Sequence, residues 1–483
     1  MKTIYERLID YSNSDYYGFH MPGHKRNMGI SSNAAAFPID ITEIEGFDDL
    51  HHAEGILREA QERAARLYGA DETHFLVNGS TAGILSSILG VTNKGDKILV
   101  ARNCHKSVYH AVYMNELNPV YVYPGFDDDM QINTEISAED IRRALCEEPS
   151  ARAVVIVSPT YDGVVSDVRE IAAAAHEKGI PLIVDEAHGA HFGFHPYFPG
   201  NSNKKDADIV IHSVHKTLPS LTQTALLHMN GGRFSREKVR RYLHMLQTSS
   251  PSYVLMAGID SCMDMLERRR EEVFCPYVER LKKARERLSV LERIELAGHK
   301  GADPSKIILS AYHTSMTGKE LYDMFLYKYH LQMEMYAGSY VLAMTSVGDT
   351  EEGFERLVRA ARGIDAAIEK FPGGTMQEIK GARADFRLPR LPGKCTSAEL
   401  EQKTKAGGEV YALPWEKSAG YISLEYAYLY PPGIPLIVPG EEITEEAAEC
   451  LSLYGQRGCR VEGLKIQGQI EVWAYGQNIL YHG

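Results

Sequence analysis

The sequence predicts an α/β protein with a mostly parallel sheet, because short apolar runs alternate along the chain with stretches of helical periodicity. Strand-like runs at 97–100 and 153–157 alternate with segments such as 168–178, whose apolar residues recur at helical spacing. Buried parallel strands are continuously apolar in this way, since helices cover both faces of their sheet. Ligands of such sheets bind beyond the carboxyl ends of the strands, so polar residues that follow these runs are candidate functional residues.

Turn signals and breaks in periodicity divide the 483 residues into four parts. Pro276 marks the start or a kink of a long charged helix, and a Pro-Gly-Gly sequence at 372–374 ends the part that contains this helix. The predicted parts are an N-terminal arm with short helices (1–50), a large α/β domain (51–275), a small α+β domain (276–374) and a C-terminal α+β domain (375–483).

One lysine directly follows a predicted buried strand. Residues 207–212 form an apolar run, and the next four residues are Ser213, Val214, His215 and Lys216. A lysine after a strand is usually a solvated surface residue, and short matches of this kind are frequently accidental. A lysine in this position can alternatively form a Schiff base with a carbonyl cofactor. The segments that precede Lys216 decide between these two interpretations.

Two earlier segments supply a carboxylate and a turn large enough for a phosphate. Asp185 follows the apolar run 181–184, which places an acid at the end of a second strand. The turn 78–83 lies between a strand-like run and a helical run, and it contains Ser80 and Thr81. Taken singly, Ser80 or Thr81 could cap a helix, and Asp185 could be a cap or part of a metal site. Their order along one α/β pattern favours a shared site with the lysine.

The three segments match three needs of pyridoxal 5'-phosphate, which is anchored by its phosphate, kept electron-poor at its ring nitrogen and tethered through its aldehyde. The hydroxyls of Ser80 and Thr81 and the amide of Ala82 can bind the phosphate at a helix start. Asp185 can keep the pyridine nitrogen protonated, and Lys216 can form the Schiff base. The sequence therefore predicts pyridoxal-phosphate chemistry with Lys216 and Asp185 as catalytic residues.

Six short motifs are spread over nearly the whole chain. They occupy residues 19–26 (FHMPGHKR), 47–52 (FDDLHH), 102–107 (RNCHKS), 159–163 (PTYDG), 213–216 (SVHK) and 430–435 (YPPGIP). In this order they resemble the Orn/Lys/Arg decarboxylases, which are fold type I, aspartate-aminotransferase-like enzymes. The resemblance implies a large domain with a mostly parallel, seven-stranded sheet, followed by a smaller α+β domain and a C-terminal α+β domain. It also implies that the arm packs across a homodimer whose sites lie at the subunit interface, with a higher assembly possible.

The same resemblance implies roles for further residues. His105 would be catalytic and would stack on the face of the cofactor ring, while Ser213 and His215 would be additional phosphate ligands. His188 is placed to approach the ring or its substituents, without a defined role. Thr160 would contact the ring oxygen or the substrate. Decarboxylation, rather than cleavage of another bond at Cα, also comes from the resemblance, particularly from the motifs near the two ends of the chain.

A basic amino-acid substrate needs acidic side chains for its ammonium or guanidinium end. The candidate carboxylates are Glu45, Asp48, Asp49, Glu425 and Glu441. Conversion of arginine to agmatine for polyamine synthesis is favoured, because the chain begins directly with the arm and resembles the short bacterial form. Lysine (to cadaverine) and ornithine (to putrescine) remain close alternatives. Other fold type I activities (aminotransferase, aldolase or lyase) and a catalytically silent, cofactor-binding regulatory protein also remain, although intact Lys216 and Asp185 argue against the silent form.

Composition narrows the setting of the protein. Lys plus Arg number 52 against 65 Asp plus Glu, which gives a formal charge of -13 and argues against a nucleic-acid partner. The seven cysteines are scattered without a CxxC pair, so neither a disulfide framework nor a zinc site is indicated. The N-terminus has no apolar signal region, and no apolar run approaches the roughly 20 residues that span a bilayer. We therefore expect a cytoplasmic protein without a bound metal.

Overall fold

A computed structural model describes residues 2–17, 21–22, 24–30, 34–128, 130–299, 301–368, 387–429, 433–456 and 461–474. The chain forms two compact units that are not continuous in sequence. The first comprises Met1–Val91 and Ile156–Glu369, and the second comprises Thr92–Val155 and Lys370–Gly483. Residues 92–155 of the predicted large domain thus belong to the same compact unit as residues 370–483.

The large sheet confirms the predicted α/β class. The first nine strands are β1 (Glu72–Leu76), β2 (Lys97–Ala101), β3 (Asn118–Val122), β4 (Phe126–Asp127), β5 (Ile132–Asn133), β6 (Val154–Val157), β7 (Leu182–Asp185), β8 (Ile209–Ser213) and β9 (Ala225–Met229). Strands β4 and β5 form a separate hairpin, and the other seven form one sheet in the order β1-β9-β8-β7-β6-β2-β3. Strand β9 runs antiparallel to its neighbours β1 and β8, so β1 and β8 point the same way, and the pairs β7–β8, β2–β6 and β2–β3 are parallel.

Helices separate most of these strands in sequence. They are α1 (Ile4–Ser12), α2 (Ile56–Tyr68), α3 (Gly79–Val91), α4 (Lys106–Met114), α5 (Ala138–Glu147), α6 (Val168–His176), α7 (Val214–Thr217), α8 (Arg236–Leu246), α9 (Tyr253–Arg268) and α10 (Arg270–Leu288). Helix α3 needs Gly83 for its close approach to the sheet, because a Cβ there would lie 2.7 Å from Leu76 Cδ1 and 3.3 Å from Ile211 Cγ2. Pro276 lies inside α10, which begins six residues earlier at Arg270.

The start of the predicted arm packs on its own chain. Thr3 and Glu6 form a capping box at the start of α1, and Ile4 and Leu8 enter the hydrophobic core of the first unit. The backbone amide of Ile4 donates to Asp260 Oδ2 over 2.8 Å, and Asp260 is buried. After α1, the described residues up to position 52 contain only short 3₁₀ turns, at Met28–Ile30, Phe37–Ile39 and Leu50–His52.

The rest of the first unit contains a second, antiparallel sheet. Its strands are β10 (Glu295–Ala297), β11 (Lys306–Ser310), β12 (Met335–Ala337) and β13 (Tyr340–Met344), in the order β10-β11-β13-β12. Helix α11 (Gly318–Asp323) follows β11 in sequence, and helix α12 (Glu351–Ala367) follows β13. Thr350 caps α12 by accepting a hydrogen bond from the Gly353 amide.

The C-terminal part of the second unit is α+β, as predicted. It contains helices α13 (Ser397–Ala406) and α14 (Glu445–Gln456) and strands β14 (Glu409–Pro414), β15 (Ile422–Ser423), β16 (Ala427–Leu429), β17 (Ile434–Ile437), β18 (Val461–Glu462) and β19 (Gln469–Ala474). These strands form two three-stranded sheets, ordered β14-β19-β15 and β17-β16-β18. In the part of the chain that the structure describes, no helix is both long enough and apolar enough to cross a membrane.

Candidate active site

The turn before α3 and the end of β8 meet at one edge of the sheet. Ser80 lies in the first turn of α3, and Ser213 is the last residue of β8. Their Oγ atoms are 2.6 Å apart. Gly79 has φ of 72°, a left-handed conformation that glycine adopts without strain, and it turns the chain from β1 into the helix. The predicted phosphate turn and the strand that precedes Lys216 therefore lie side by side.

Asp185 ends β7, the strand next to β8, and its side chain is buried. Its Oδ1 atom accepts a hydrogen bond from the Ala187 amide over 3.2 Å. Burial raises the pKa of this carboxyl group, while the positive charge of Lys216 opposes the rise. The acid and the lysine therefore interact electrostatically, which is compatible with the predicted shared site.

Lys216 lies in the short helix α7, and its Nζ atom is 2.9 Å from His188 Nε2. Burial lowers the pKa of the Lys216 amine, and the charges of Asp185 and Glu334 act in the opposite direction. The His188 ring is buried and packs against Tyr161, with ring centroids 4.5 Å apart. The structure thus brings His188, which had no defined role in the sequence analysis, to the amine of the lysine.

Glu334 is an acidic residue of this region that lies outside all six motifs. Its side chain accepts a hydrogen bond from the Tyr161 hydroxyl, and its backbone amide donates to the Leu342 carbonyl over 2.9 Å. Glu334 is exposed, and its charge acts on Lys216. Sequence inspection missed it because Glu334 and Tyr161 are 173 positions apart, and only the PTYDG motif at 159–163 pointed to this place.

The predicted phosphate ligands differ in what their side chains already bind. Thr81 is exposed, and Ala82 is buried in the first turn of α3. His215 Nδ1 lies 2.9 Å from the Thr224 carbonyl oxygen, so Nδ1 carries a proton and donates to that oxygen. His215 Nε2 can then donate to a phosphate only when the ring is an imidazolium, and burial lowers the pKa of His215. This geometry favours Ser80, Ser213 and backbone amides over His215.

Thr160 and His105 make local hydrogen bonds of their own. Thr160 Oγ1 accepts from the Val164 amide over 3.1 Å, within the PTYDG turn. His105, in the second unit, caps the start of α4, where its Nδ1 lies 3.3 Å from the Ser107 amide nitrogen. The His105 side chain is half-buried.

The acidic candidates of the first unit organise a loop. The Asp48 carboxylate accepts four backbone N–H groups, at Asp49, Glu54, Gly55 and Leu57, over 2.8–3.0 Å. Burial would raise the pKa of Asp48, but these hydrogen bonds outweigh burial and lower it. Asp49 caps the turn Leu50–His52, and Glu45 is exposed.

The acidic candidates of the second unit also bind groups of their own chain. Glu425 accepts from the backbone amides of Lys465 and Glu471 over 2.8 and 2.7 Å. Glu441 forms a buried ion pair with Arg102, at 3.2 Å between Oε2 and Nη2. These contacts favour structural roles for both acids. The YPP segment of the motif at 430–435 lies outside the described residues, as do positions 19, 20 and 23 of the first motif.

Comparison with known proteins identifies the family of the chain and supports its fold. The model of the family described as Orn/Lys/Arg decarboxylase, major domain, matches residues 2–335, and that of the C-terminal domain matches residues 390–456. An arginine decarboxylase of Bacillus subtilis is 32% identical over 95% of each chain, and the uncharacterized protein YaaO of the same organism is 36% identical over 95% of each chain. A lysine decarboxylase of Pseudomonas aeruginosa, LdcA, is 24% identical over 93% of this chain and 75% of the relative.

Solved structures share the fold at lower identity. The lysine decarboxylase LdcF of Francisella novicida superimposes with a TM-score of 0.82 at 20% identity, over 98% of this chain and 80% of that one. The serine palmitoyltransferase of Sphingomonas wittichii superimposes with a TM-score of 0.54 at 16% identity, over 67% of this chain and 82% of that one. At these identities the likeness shows the fold alone, which is that of fold type I pyridoxal-phosphate enzymes.

Proposed function

The chain belongs to the Orn/Lys/Arg decarboxylase family, and we propose that within this family it converts arginine to agmatine and carbon dioxide. Its activity is pyridoxal-phosphate-dependent decarboxylation of a basic amino acid, which makes it a carboxy-lyase. One observation carries the choice of arginine: the greater identity, over nearly complete chains, to an arginine decarboxylase than to a lysine decarboxylase. Agmatine would then feed polyamine synthesis.

Pyridoxal 5'-phosphate is the cofactor of this family, and the residues at the sheet edge fit it. When bound, it supplies the electron sink that lets the bond to the substrate carboxylate break. Ser80, Ser213 and the amides at the start of α3 offer hydrogen-bond donors for its phosphate. Buried Asp185, oriented by the Ala187 amide, can hold the proton of the ring nitrogen. His105 would stack on the ring.

Lys216 would bind the cofactor covalently, and His188 would accept a proton from the lysine and return it. An ammonium group has to lose a proton before its nitrogen can attack a carbonyl carbon. His188 Nε2, at 2.9 Å from Lys216 Nζ, is in position to accept that proton and to return it later. Burial, which lowers the pKa of Lys216, favours the same neutral amine.

Glu334 is our candidate for binding the distal end of the substrate. A guanidinium group forms two parallel hydrogen bonds to a carboxylate, which gives both attraction and orientation. The Glu334 carboxylate is exposed, is held by the Tyr161 hydroxyl and acts electrostatically on Lys216. The candidates Asp48, Glu425 and Glu441 instead bind backbone amides or an arginine of their own chain.

We also propose a homodimer in the cytoplasm. Several large apolar side chains near the N-terminus are exposed in the single chain, including Tyr16 and Tyr17 at 70% and Met21 at 65%. Exposed large apolar side chains that lie this close in sequence favour an interface with another protein surface, here a second copy of the chain. None of the six cysteines in the described ranges takes part in a disulfide, which is compatible with a reducing compartment.

The direct test offers arginine, lysine and ornithine separately to the purified holoenzyme and identifies the amines that form. We expect carbon dioxide and agmatine from arginine, with kcat/KM at least tenfold above the values for lysine and ornithine. Preferential formation of cadaverine or putrescine would overturn the choice of arginine. Turnover that requires a keto acid and releases no carbon dioxide would overturn the proposed reaction.

A further inference from the structure

Glu186 directly follows Asp185, but its carboxylate belongs to a buried chain of hydrogen bonds that the proposed chemistry does not use. Glu186 Oε2 lies 2.9 Å from His212 Nε2, and His212 Nδ1 lies 2.9 Å from His228 Nε2. His228 Nδ1 in turn lies 2.7 Å from Thr73 Oγ1. Glu186 is 1% exposed, and both histidines are completely buried. These hydrogen bonds therefore connect four polar side chains inside the first unit.

Neighbouring groups complete this chain and close it off from water. The Ser202 amide donates to Glu186 Oε2 over 2.9 Å, and the Ser202 hydroxyl oxygen lies 2.9 Å from Oε1. The ring of Tyr68, from α2, stacks on His212 with a centroid distance of 4.7 Å. Such complete pairing is what makes buried polar groups tolerable.

The hydrogen-bond chain from Glu186 to Thr73 lies on the face of the sheet opposite the proposed cofactor site. Successive residues of a strand point to opposite faces, so His212 and Ser213 of β8 project in opposite directions. Ser213 meets Ser80 of α3 on one face, and His212 meets Tyr68 of α2 on the other. The side chain of Glu186 is therefore bound by residues on the face of the sheet opposite the face with the proposed cofactor site.

The backbone of Glu186 also holds the turn that carries two site residues. Its amide donates to the Ile211 carbonyl over 3.0 Å, and its carbonyl accepts from the Gly189 amide over 2.8 Å. A Cβ atom at Gly189 would lie 2.7 Å from Glu186 Cγ, so the turn closes directly against the Glu186 side chain. Asp185 and His188 lie in this turn, and His188 contacts Lys216.

We propose that Glu186 is a positioning residue, whose carboxyl group, held by His212 and Ser202, fixes the turn 185–189 so that Asp185 and His188 face the cofactor and Lys216. The inference rests on the proposed function, because it takes Asp185 as the partner of the cofactor ring nitrogen. Glu186 itself touches neither cofactor nor substrate.

The protonation states of Glu186 and His212 show which substitution would preserve the hydrogen bonds between them. Burial lowers the pKa of His212 to about 3 and raises the pKa of Glu186 to about 8, so the imidazole is neutral and the carboxyl group holds a proton near neutral pH. Because the Ser202 amide can only donate, Oε2 accepts, and His212 Nε2–H can donate to the same oxygen. A glutamine can reproduce this neutral arrangement, with its amide nitrogen donating to Ser202 Oγ.

The test compares Glu186→Leu and Glu186→Gln with a matched buried carboxylate at the other end of the same strands. Asp208 is 1% exposed, lies 2.7 Å from His176 Nε2 and accepts from the Leu182 amide at the start of β7. Asp208→Leu thus removes an equivalent pair far from the turn. The measurements are the dissociation constant of pyridoxal 5'-phosphate, the visible circular dichroism of the bound cofactor, and the thermal midpoint.

We expect Glu186→Leu to weaken cofactor binding at least tenfold and to alter the visible dichroism band, while Glu186→Gln restores both to within about threefold of wild type. Asp208→Leu should lower the thermal midpoint but leave the cofactor band and affinity unchanged. Wild-type affinity and dichroism in Glu186→Leu, or equal cofactor effects in Asp208→Leu, would overturn the inference.

If Glu186→Leu fails to fold, His212→Leu and His212→Gln provide the same comparison from the other side of the hydrogen bond. The first removes the donor to Glu186 and should alter the cofactor band, whereas the second keeps a donor and should alter it less; equal bands would overturn the inference. These readouts use no substrate. A wild-type enzyme that binds cofactor but decarboxylates no basic amino acid would therefore refute the proposed function alone.

Discussion

Lys216 Nζ lies 2.9 Å from His188 Nε2, and this contact joins the short helix after β8 to the turn after β7. Both residues follow strands that are parallel neighbours, so the sheet itself brings them together. A lysine that has to be neutral to react gains from a buried imidazole as its nearest proton acceptor. We therefore expect a substitution of His188 to affect proton transfer at Lys216 without affecting cofactor binding.

His188→Phe should slow the reaction of the holoenzyme with arginine by about 100-fold, since the ring contact with Tyr161 is kept but the proton acceptor is lost. His188→Gln, which keeps an acceptor atom, should be less severe. Rapid mixing with arginine, followed by the absorbance of the bound cofactor, measures this step. Unchanged rates in His188→Phe would show that the contact with Lys216 has no part in the reaction.

Glu334→Gln should lower kcat/KM for arginine by roughly 10- to 100-fold, because a hydrogen bond between charged groups is worth about 1.5–3 kcal/mol. The loss should come mainly from a higher KM, and the absorbance of the resting enzyme should not change. Glu352→Gln, at an exposed acid in the first turn of α12, is the matched control and should behave as wild type. A fall in kcat at unchanged KM would argue against a role in substrate binding.

Stability should depend on pH through Glu186. Burial raises the pKa of Glu186 from an ordinary 4.5 to about 8, so the folded state keeps a proton that the unfolded state releases. The contribution of this group to stability is complete below about pH 4.5 and is lost as the pH rises towards 8, at up to about 1.4 kcal/mol per pH unit. Denaturant unfolding from pH 5 to 8 should show a shallower decline in Glu186→Gln than in wild type. Parallel declines would exclude Glu186 as the titrating group.

The buried pair of Arg102 and Glu441 should be the most sensitive ion pair of the second unit. Arg102 is completely buried and also donates to the Leu436 carbonyl over 3.1 Å, so Arg102→Met leaves Glu441 as an unpaired buried charge. Such a change costs about 3–5 kcal/mol. Both tryptophans, Trp415 and Trp473, lie in this unit, and their fluorescence during urea unfolding reports on it.

Arg143→Met, which removes an ion pair of the exposed Arg143 with Asp140 in the same unit, provides the comparison for this measurement. It should leave the unfolding midpoint close to that of wild type. Equal effects of the two arginine substitutions would mean that the Arg102 pair contributes no more than a surface contact.

The sequence was informative where a candidate site residue stands next to its own strand or helix. Lys216 and Asp185 stand directly after apolar runs, and Ser80 stands in a glycine turn before a helix, so each carries a local pattern. The meeting of Ser80 with Ser213 follows from strand direction in the sheet. The places of these residues at the sheet edge were predictable because strand, turn and helix signals are encoded within a few positions of one another.

The acidic residues were harder to rank, because a carboxylate shows its role only through its partners. Asp48 lies in a motif that resembles the family, yet its oxygens are taken by four backbone amides. Glu334 lies in no motif, yet its carboxylate accepts from Tyr161 across 173 positions of sequence. Glu186 directly follows Asp185 in sequence, and its partners His212 and Ser202 emerge only from the packing behind the sheet.

Identification of the lysine that carries the cofactor tests the central claim most directly. Reduction of the holoenzyme with borohydride fixes the cofactor on its lysine, and peptide mass spectrometry locates it. We expect one phosphopyridoxyl group per chain on Lys216, and none in Lys216→Ala. A label on another lysine, such as the buried Lys306, whose pKa is lowered by burial and by the charge of Lys216, would contradict the assignment, as would undiminished labelling of Lys216→Ala.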